Sequence, residues 1–281
     1  VCICLVYVLD RKTALRREIR TAVRIEIGYL IFLFVTIPCG MVFSVSADNI
    51  YSRGPHFYIY VVMYFGAILY LSASTVITAR EFQNRSRLLI YPLILFVMAE
   101  TIIQVALPEL HVTWLCVTLL SVLYFIYCSE MWNQLDALTG LLNQNSYLKQ
   151  TGGVRYKGGV LVVFDVDDFK QINDRYGHIQ GDLCLAGIAE CIKKSYANFG
   201  YCYRIGGDEF CVLLKNGGNE GRCKQEFLQR LQEKRGEIAF LPTVSYGSAP
   251  FSGEDIVKVK DRADQDMYQY KKERKNRKRL S

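Results

Sequence analysis

The chain has 281 residues, 51% of them hydrophobic, and its 34 Lys and Arg against 27 Asp and Glu leave a net charge of +7. This length admits two modest domains or one large one. The excess positive charge does not indicate a nucleic-acid partner, because the basic residues fall in short loops between apolar runs and in a C-terminal cluster, not in one stripe.

Up to about 131 the sequence is a series of long apolar runs, and after 136 it reads as a soluble domain. The opening VCICLVYVL reads as the tail of a longer membrane segment. Four further runs, at about 26–47, 56–79, 88–107 and 111–131, lack a polar face at helical period. Each approaches the ~20 residues a helix needs to span hydrocarbon. Arg11, Lys12, Arg16, Arg17, Arg20 and Arg24 precede the first, and Arg80, Arg85 and Arg87 separate the second from the third. The other two loops offer only Arg53. The positive-inside rule therefore predicts a multi-pass cell-membrane protein with everything after Met131 in the cytoplasm.

Glu100 lies in the third run, where an ionisable group is costly. It reads equally as a ligand or proton site and as a carboxyl bonded to neighbouring helices. Pro38 and Pro92 mark kinks or helix ends. Of ten cysteines, some lie inside apolar runs, and Cys184, Cys191, Cys202, Cys211 and Cys223 form no close pair. A reduced core is predicted rather than a disulfide framework or a zinc site.

In the second half, 160–164 is an unbroken apolar run, as expected of a buried strand, and it leads into Asp165, Asp167 and Asp168. Carboxylates at a strand end suit Mg²⁺, a hard cation that takes oxygen ligands and charged phosphates. A helix is predicted from Phe169, broken at Gly177, with a second from about Gly181. Two strand-like runs, 201–205 and 210–214, flank Gly206, Gly207, Asp208 and Glu209. The glycine pair predicts a tight hairpin turn that also lets a phosphate approach the backbone.

These segments together closely resemble the GGDEF family of diguanylate cyclases. The resemblance is carried by DALTGLLN at 136–143, FDVDDFKQINDRYGHIQGD from Phe164, RIGGDEF from Arg204, VSYG at 244–247 and a closing helix over 262–276. It implies a membrane region over 1–131 followed, at 132–281, by an α+β domain with a central, mostly antiparallel sheet flanked by helices, similar to nucleotidyl cyclases. It implies condensation of two GTP into cyclic di-GMP and pyrophosphate by a homodimer. The alternative is a catalytically silent module that binds GTP or a cyclic dinucleotide.

By the same resemblance, Asp165, the Val166 carbonyl, Asp208 and Glu209 would hold two Mg²⁺ ions, with Mn²⁺ able to substitute. Asp208, Glu209 and Lys170 would be catalytic. Phe169, Lys170, Gly206, Gly207, Lys271 and Lys275 would surround the phosphates, and Asn173 and Asp182 would read guanine. His178 is a packing or turn residue, and Asp182 reads alternatively as a helix cap. The chain departs from the family pattern at Gln144 and Lys275, where Arg is usual, and at Arg274, where Gly is usual. Lys275 offers a point charge without a bidentate fork. The stretch from 215 to 240 looks short, so a trimmed helix is expected there. The Arg-x-x-Asp inhibitory product site is replaced by Ala197, Asn198, Phe199 and Gly200, which predicts no feedback inhibition through it.

Overall fold

The computed structural model describes residues 16–81, 90–107, 113–152, 158–215 and 217–280. The chain divides into two compact units, Val1–Trp132 and Asn133–Ser281. The opening apolar stretch, Arg11, Lys12, Arg85 and Arg87 lie outside the described residues, as do the first residues of the third and fourth predicted spans.

The first unit contains helices α1 (Arg16–Thr36), α2 (Phe57–Glu81), α3 (Ile90–Ala106) and α4 (Thr113–Asn133). Two stretches among the described residues are long and apolar enough to cross a bilayer, Phe57–Val76 and Leu115–Asn133. The run at 26–47 corrects the expectation of a span. Its helix ends at Thr36, whose hydroxyl turns back to the Phe32 and Leu33 carbonyls, and a short 3₁₀ turn containing Pro38 follows. Gly40 then adopts a left-handed conformation, and strands β1 (Phe43–Val45) and β2 (Tyr51–Arg53) form a hairpin. Hydropathy does not register such breakers. In α3, Pro92 falls in the first turn, where a missing N–H costs nothing. Glu100 is buried; Tyr64 Oη approaches its Oε2 at 3.5 Å, and Oε1 has no hydrogen-bond partner among the described residues.

The second unit is built on a four-stranded sheet of β3 (Gly159–Val166), β4 (Gly200–Arg204), β5 (Glu209–Leu214) and β6 (Val244–Phe251). The order is β4-β5-β3-β6, and every pairing is antiparallel. The helices are α5 (Gln144–Thr151), α6 (Phe169–Tyr176), α7 (His178–Tyr196), α8 (Glu220–Glu237) and α9 (Ile256–Leu280). Because β3 is covered on both faces, it reads as a continuous apolar run. Val160, Val162 and Phe164 pack with Leu185, Ile188, Phe227 and Leu231 of α7 and α8. Leu161 and Val163 pack with Tyr147, Val259 and Ala263 of α5 and α9. The alternation then dictates that Asp165, two residues past Val163, lies on the α9 side.

The stretch expected to hold a trimmed helix contains α8, 18 residues long, with Cys223, Phe227 and Leu231 as its buried stripe. Phe227 meets Phe164 edge-on at 5.1 Å, and each buried ring stabilises by about 1.5–3 kcal/mol. The five second-unit cysteines, Cys184, Cys191, Cys202, Cys211 and Cys223, are all buried and serve as small core residues. On β6, Gly247 lets α9 approach so closely that a Cβ would stand 2.3 Å from the Ala263 carbonyl oxygen.

Candidate functional site

Asp165 pairs directly across from Glu209 on β5 and from Ser245 on β6. One residue on, the Val166 amide donates to the Asp208 carbonyl at 3.2 Å, so the end of β3 and the Gly206–Glu209 turn meet. Neither glycine of the turn has a positive φ, which corrects the expected role of the pair. Gly206 lies close to Glu209: a Cβ there would stand 3.3 Å from Glu209 Oε2, a contact that a small shift of that exposed side chain would relieve. Around Gly207 nothing comes within 4 Å of the Cβ position, leaving its backbone open to an incoming group.

The turn is braced by residues whose partners sequence spacing does not reveal. Arg204 donates to the Gly207 carbonyl from Nη2 at 2.7 Å and from Nε at 3.2 Å, and to Asp136 Oδ1 from Nη1 at 3.0 Å. Asp136 also accepts from the Thr139 amide and hydroxyl. Burial alone would raise the Asp136 carboxyl, but Thr139 and Arg204 outweigh it and hold the group below the usual carboxylate range. Asn143 closes the same motif, accepting from Ser146 N to cap α5 and donating to the Asn133 carbonyl.

Beyond β3, Asp168 takes a left-handed conformation with φ 54° and makes no side-chain cap. The first turn of α6 therefore presents Phe169 and Lys170 amides without a carboxylate cap, an arrangement suited to an anion. Lys170 is exposed there and Phe169 half-buried. Phe169 and Asn173 are one turn apart and face Gly181 of α7, where a Cβ would stand 1.9 Å from Asn173 Oδ1 and 3.3 Å from Phe169 Cζ. Asp182 follows, exposed. Because α7 begins at His178, Asp182 is inside the helix and does not cap it.

From α9, Lys271 forms an ion pair with Asp165 and stands 3.6 Å from Asp167 Oδ1. Burial would lower the Lys271 ammonium, but Asp165 outweighs it and raises the group above the usual lysine value. Arg274 reaches Asp167 Oδ2 at 3.0 Å. The Lys275 side chain lies outside the described residues. Arg204, Thr243 and Ser245, which sequence did not single out for this site, join Asp167 and Arg274 in bracing it.

Among the described residues, no three His, Cys, Asp or Glu side chains form a ready metal cage. Mg²⁺ commonly takes one or two carboxylates and completes its shell with water and substrate phosphates. Asp165 lies across from Glu209, with Asp208 next to it in the turn, and such carboxylates are the ligand type that Mg²⁺ takes.

A model of the diguanylate cyclase GGDEF domain matches residues 133–277. The chain belongs to the GGDEF family. The chain is 40% identical over 96 residues to the probable diguanylate cyclase DgcI of Escherichia coli K12, covering 34% of this chain and 21% of that protein. It is 32% identical over 154 residues to diguanylate cyclase DgcS of Shewanella oneidensis, covering 52% of each. The chain thus spans about half or less of the length of these relatives. A solved microbial GGDEF domain described with cyclic di-GMP aligns with 32% identity and a TM-score of 0.41, covering 50% of this chain and 93% of that one. The GGDEF unit here has the antiparallel four-stranded α+β architecture expected from sequence.

Proposed function

We propose that this GGDEF protein is a membrane-anchored diguanylate cyclase that converts two GTP into cyclic di-GMP and two pyrophosphates. The observation that carries the reading is the convergence of Asp165, at the end of a buried strand, with Asp208 and Glu209 in the adjoining turn. In each half-reaction a ribose 3′-oxygen attacks an α-phosphorus, one P–O bond forms, the bond to the β-phosphate bridge breaks, and pyrophosphate leaves. Two Mg²⁺ ions held by Asp165, the Val166 carbonyl, Asp208 and Glu209 would neutralise the triphosphate and acidify the 3′-hydroxyl.

The protein's own groups bind and orient. The Phe169 and Lys170 amides, the Lys170 and Lys271 ammonium groups and the open Gly206–Gly207 backbone take the phosphates, with Lys275 adding a point charge. Asp182 accepts guanine's N1–H and N2–H, and Asn173 both donates and accepts at the base edge. One domain holds one GTP, so a two-fold homodimer must bring two together. The two apolar helices of the first unit support anchoring, and the distribution of Arg and Lys supports a cytoplasmic GGDEF unit at the cell membrane.

The test is the full chain in detergent with GTP and Mg²⁺, products separated by chromatography. Cyclic di-GMP and pyrophosphate are expected, and Asp208→Ala abolishes both while leaving intact the backbone bond from Val166. GTP binding without turnover in the parent chain would establish the silent module instead.

A further inference from the structure

Asp167 is buried, and each of its oxygens is already engaged. Ser245 Oγ donates to Oδ1 at 2.7 Å; Thr243 Oγ1 at 2.8 Å and Arg274 Nη1 at 3.0 Å both donate to Oδ2. Its amide is tied to the Thr243 carbonyl at 2.8 Å. A buried carboxylate so satisfied is poorly placed to bind a metal, and neutralising it is what makes its burial tolerable. The cation that does so comes from α9. The same Arg274 nitrogen also donates to the Val244 carbonyl at 3.2 Å, and the guanidinium lies 5.8 Å from the Tyr270 ring centroid. Tyr270 in turn contacts Tyr246 of β6 at 4.5 Å.

Two periodicities meet at this point. Asp165 and Asp167 are two apart along the strand direction and face the same side. Lys271 and Arg274 are three apart on a helix and also share a side. Arg274 pairs with Asp167, while Lys271 pairs with Asp165 and also stands 3.6 Å from Asp167 Oδ1.

We infer that Asp167 and Arg274 are a positioning pair: a latch that fixes the register of α9 across the ends of β3 and β6 and so holds Lys271 at Asp165, where a nucleotide's phosphates would bind. This rests on the proposed role of Lys271 as a phosphate contact. Arg274 itself touches no substrate. It acts through Lys271, and lysine at 274 cannot fully replace it, because one ammonium lacks the planar reach of a guanidinium.

The experiment uses the full chain in detergent and α,β-methylene GTP, whose bridging carbon cannot leave, so binding is read without turnover. Arg274→Ala is expected to weaken binding of this analogue about tenfold, the size of one charge-assisted hydrogen bond, and to speed amide exchange in the last turns of α9. Arg274→Lys recovers part of both. Lys271→Ala weakens binding while leaving α9 exchange unchanged, and adding Arg274→Ala to it produces no further loss of affinity. Asp167→Asn, which keeps the side-chain shape, reproduces Arg274→Ala. Unchanged affinity in Arg274→Ala overturns the latch, as does a loss that adds fully to that of Lys271→Ala. A parent chain that binds the analogue yet forms no cyclic di-GMP from GTP sinks the cyclase reading and leaves the latch standing.

Discussion

A methyl group at position 181 would collide with the Asn173 side-chain oxygen, which makes Gly181 a test of the base-reading assignment. Replacing a mid-helix glycine by alanine should favour α7 by up to about 1 kcal/mol, so Gly181→Ala should not lower the urea midpoint greatly. The added Cβ forces Asn173 into another rotamer, and the KM for GTP should rise about tenfold, as expected for one lost hydrogen bond to a base. An unchanged KM would remove Asn173 from base recognition. At this scale the sequence pointed to Asp165, Asp208 and Lys271, and the structure brings the end of β3 to the Asp208 backbone and Lys271 to Asp165. It was silent wherever the partner is remote in the chain: nothing about Asp136 announces Arg204, and nothing about Asp167 announces Arg274. The glycines of the turn were found as a hairpin, though neither uses the positive φ that glycine permits; at Gly207 the space around the backbone is open.

Among the elements, β3 was legible because burial on both faces erases the alternation of an ordinary strand. Helix α8 was harder to read, since its charged residues mask a stripe at every fourth position. Its link to α7 is electrostatic as well as apolar. Glu190 accepts from Lys194 at 2.7 Å and pairs with Lys234 at 2.8 Å, and these two ammonium groups pull its carboxyl down to about 2. A carboxylate depressed in the folded state stabilises fully above its unfolded value, about 4.3 for glutamate, and loses that contribution as pH falls toward 2. Glu190→Gln should therefore flatten the acid limb of the stability curve between those values, measured by urea denaturation at low salt. The side chain is 44% exposed, so the difference should shrink in 1 M salt, where the Debye length is about 3 Å. The first predicted span failed for an element-scale reason: an apolar run is a helix only while its backbone permits one, and Thr36, Pro38 and Gly40 do not.

For the whole molecule, a reaction joining two nucleotides held by two copies predicts a concentration signature. Specific activity should fall on dilution below the dimer dissociation constant and recover on concentration, whereas activity per chain that is independent of concentration would place both nucleotides in one protomer. Composition set an apolar first half apart from the rest and the motifs carried the family resemblance, but neither disclosed the way distant segments converge. Gly247 shows how much hangs on such convergence. Its missing side chain lets the last helix rest on the backbone of β6, and that seat decides how far along β3 the helix cations fall. A single hydrogen atom thus acts as the spacer that sets where positive charge meets negative, and any bulkier residue would push the C-terminal arm off its seat.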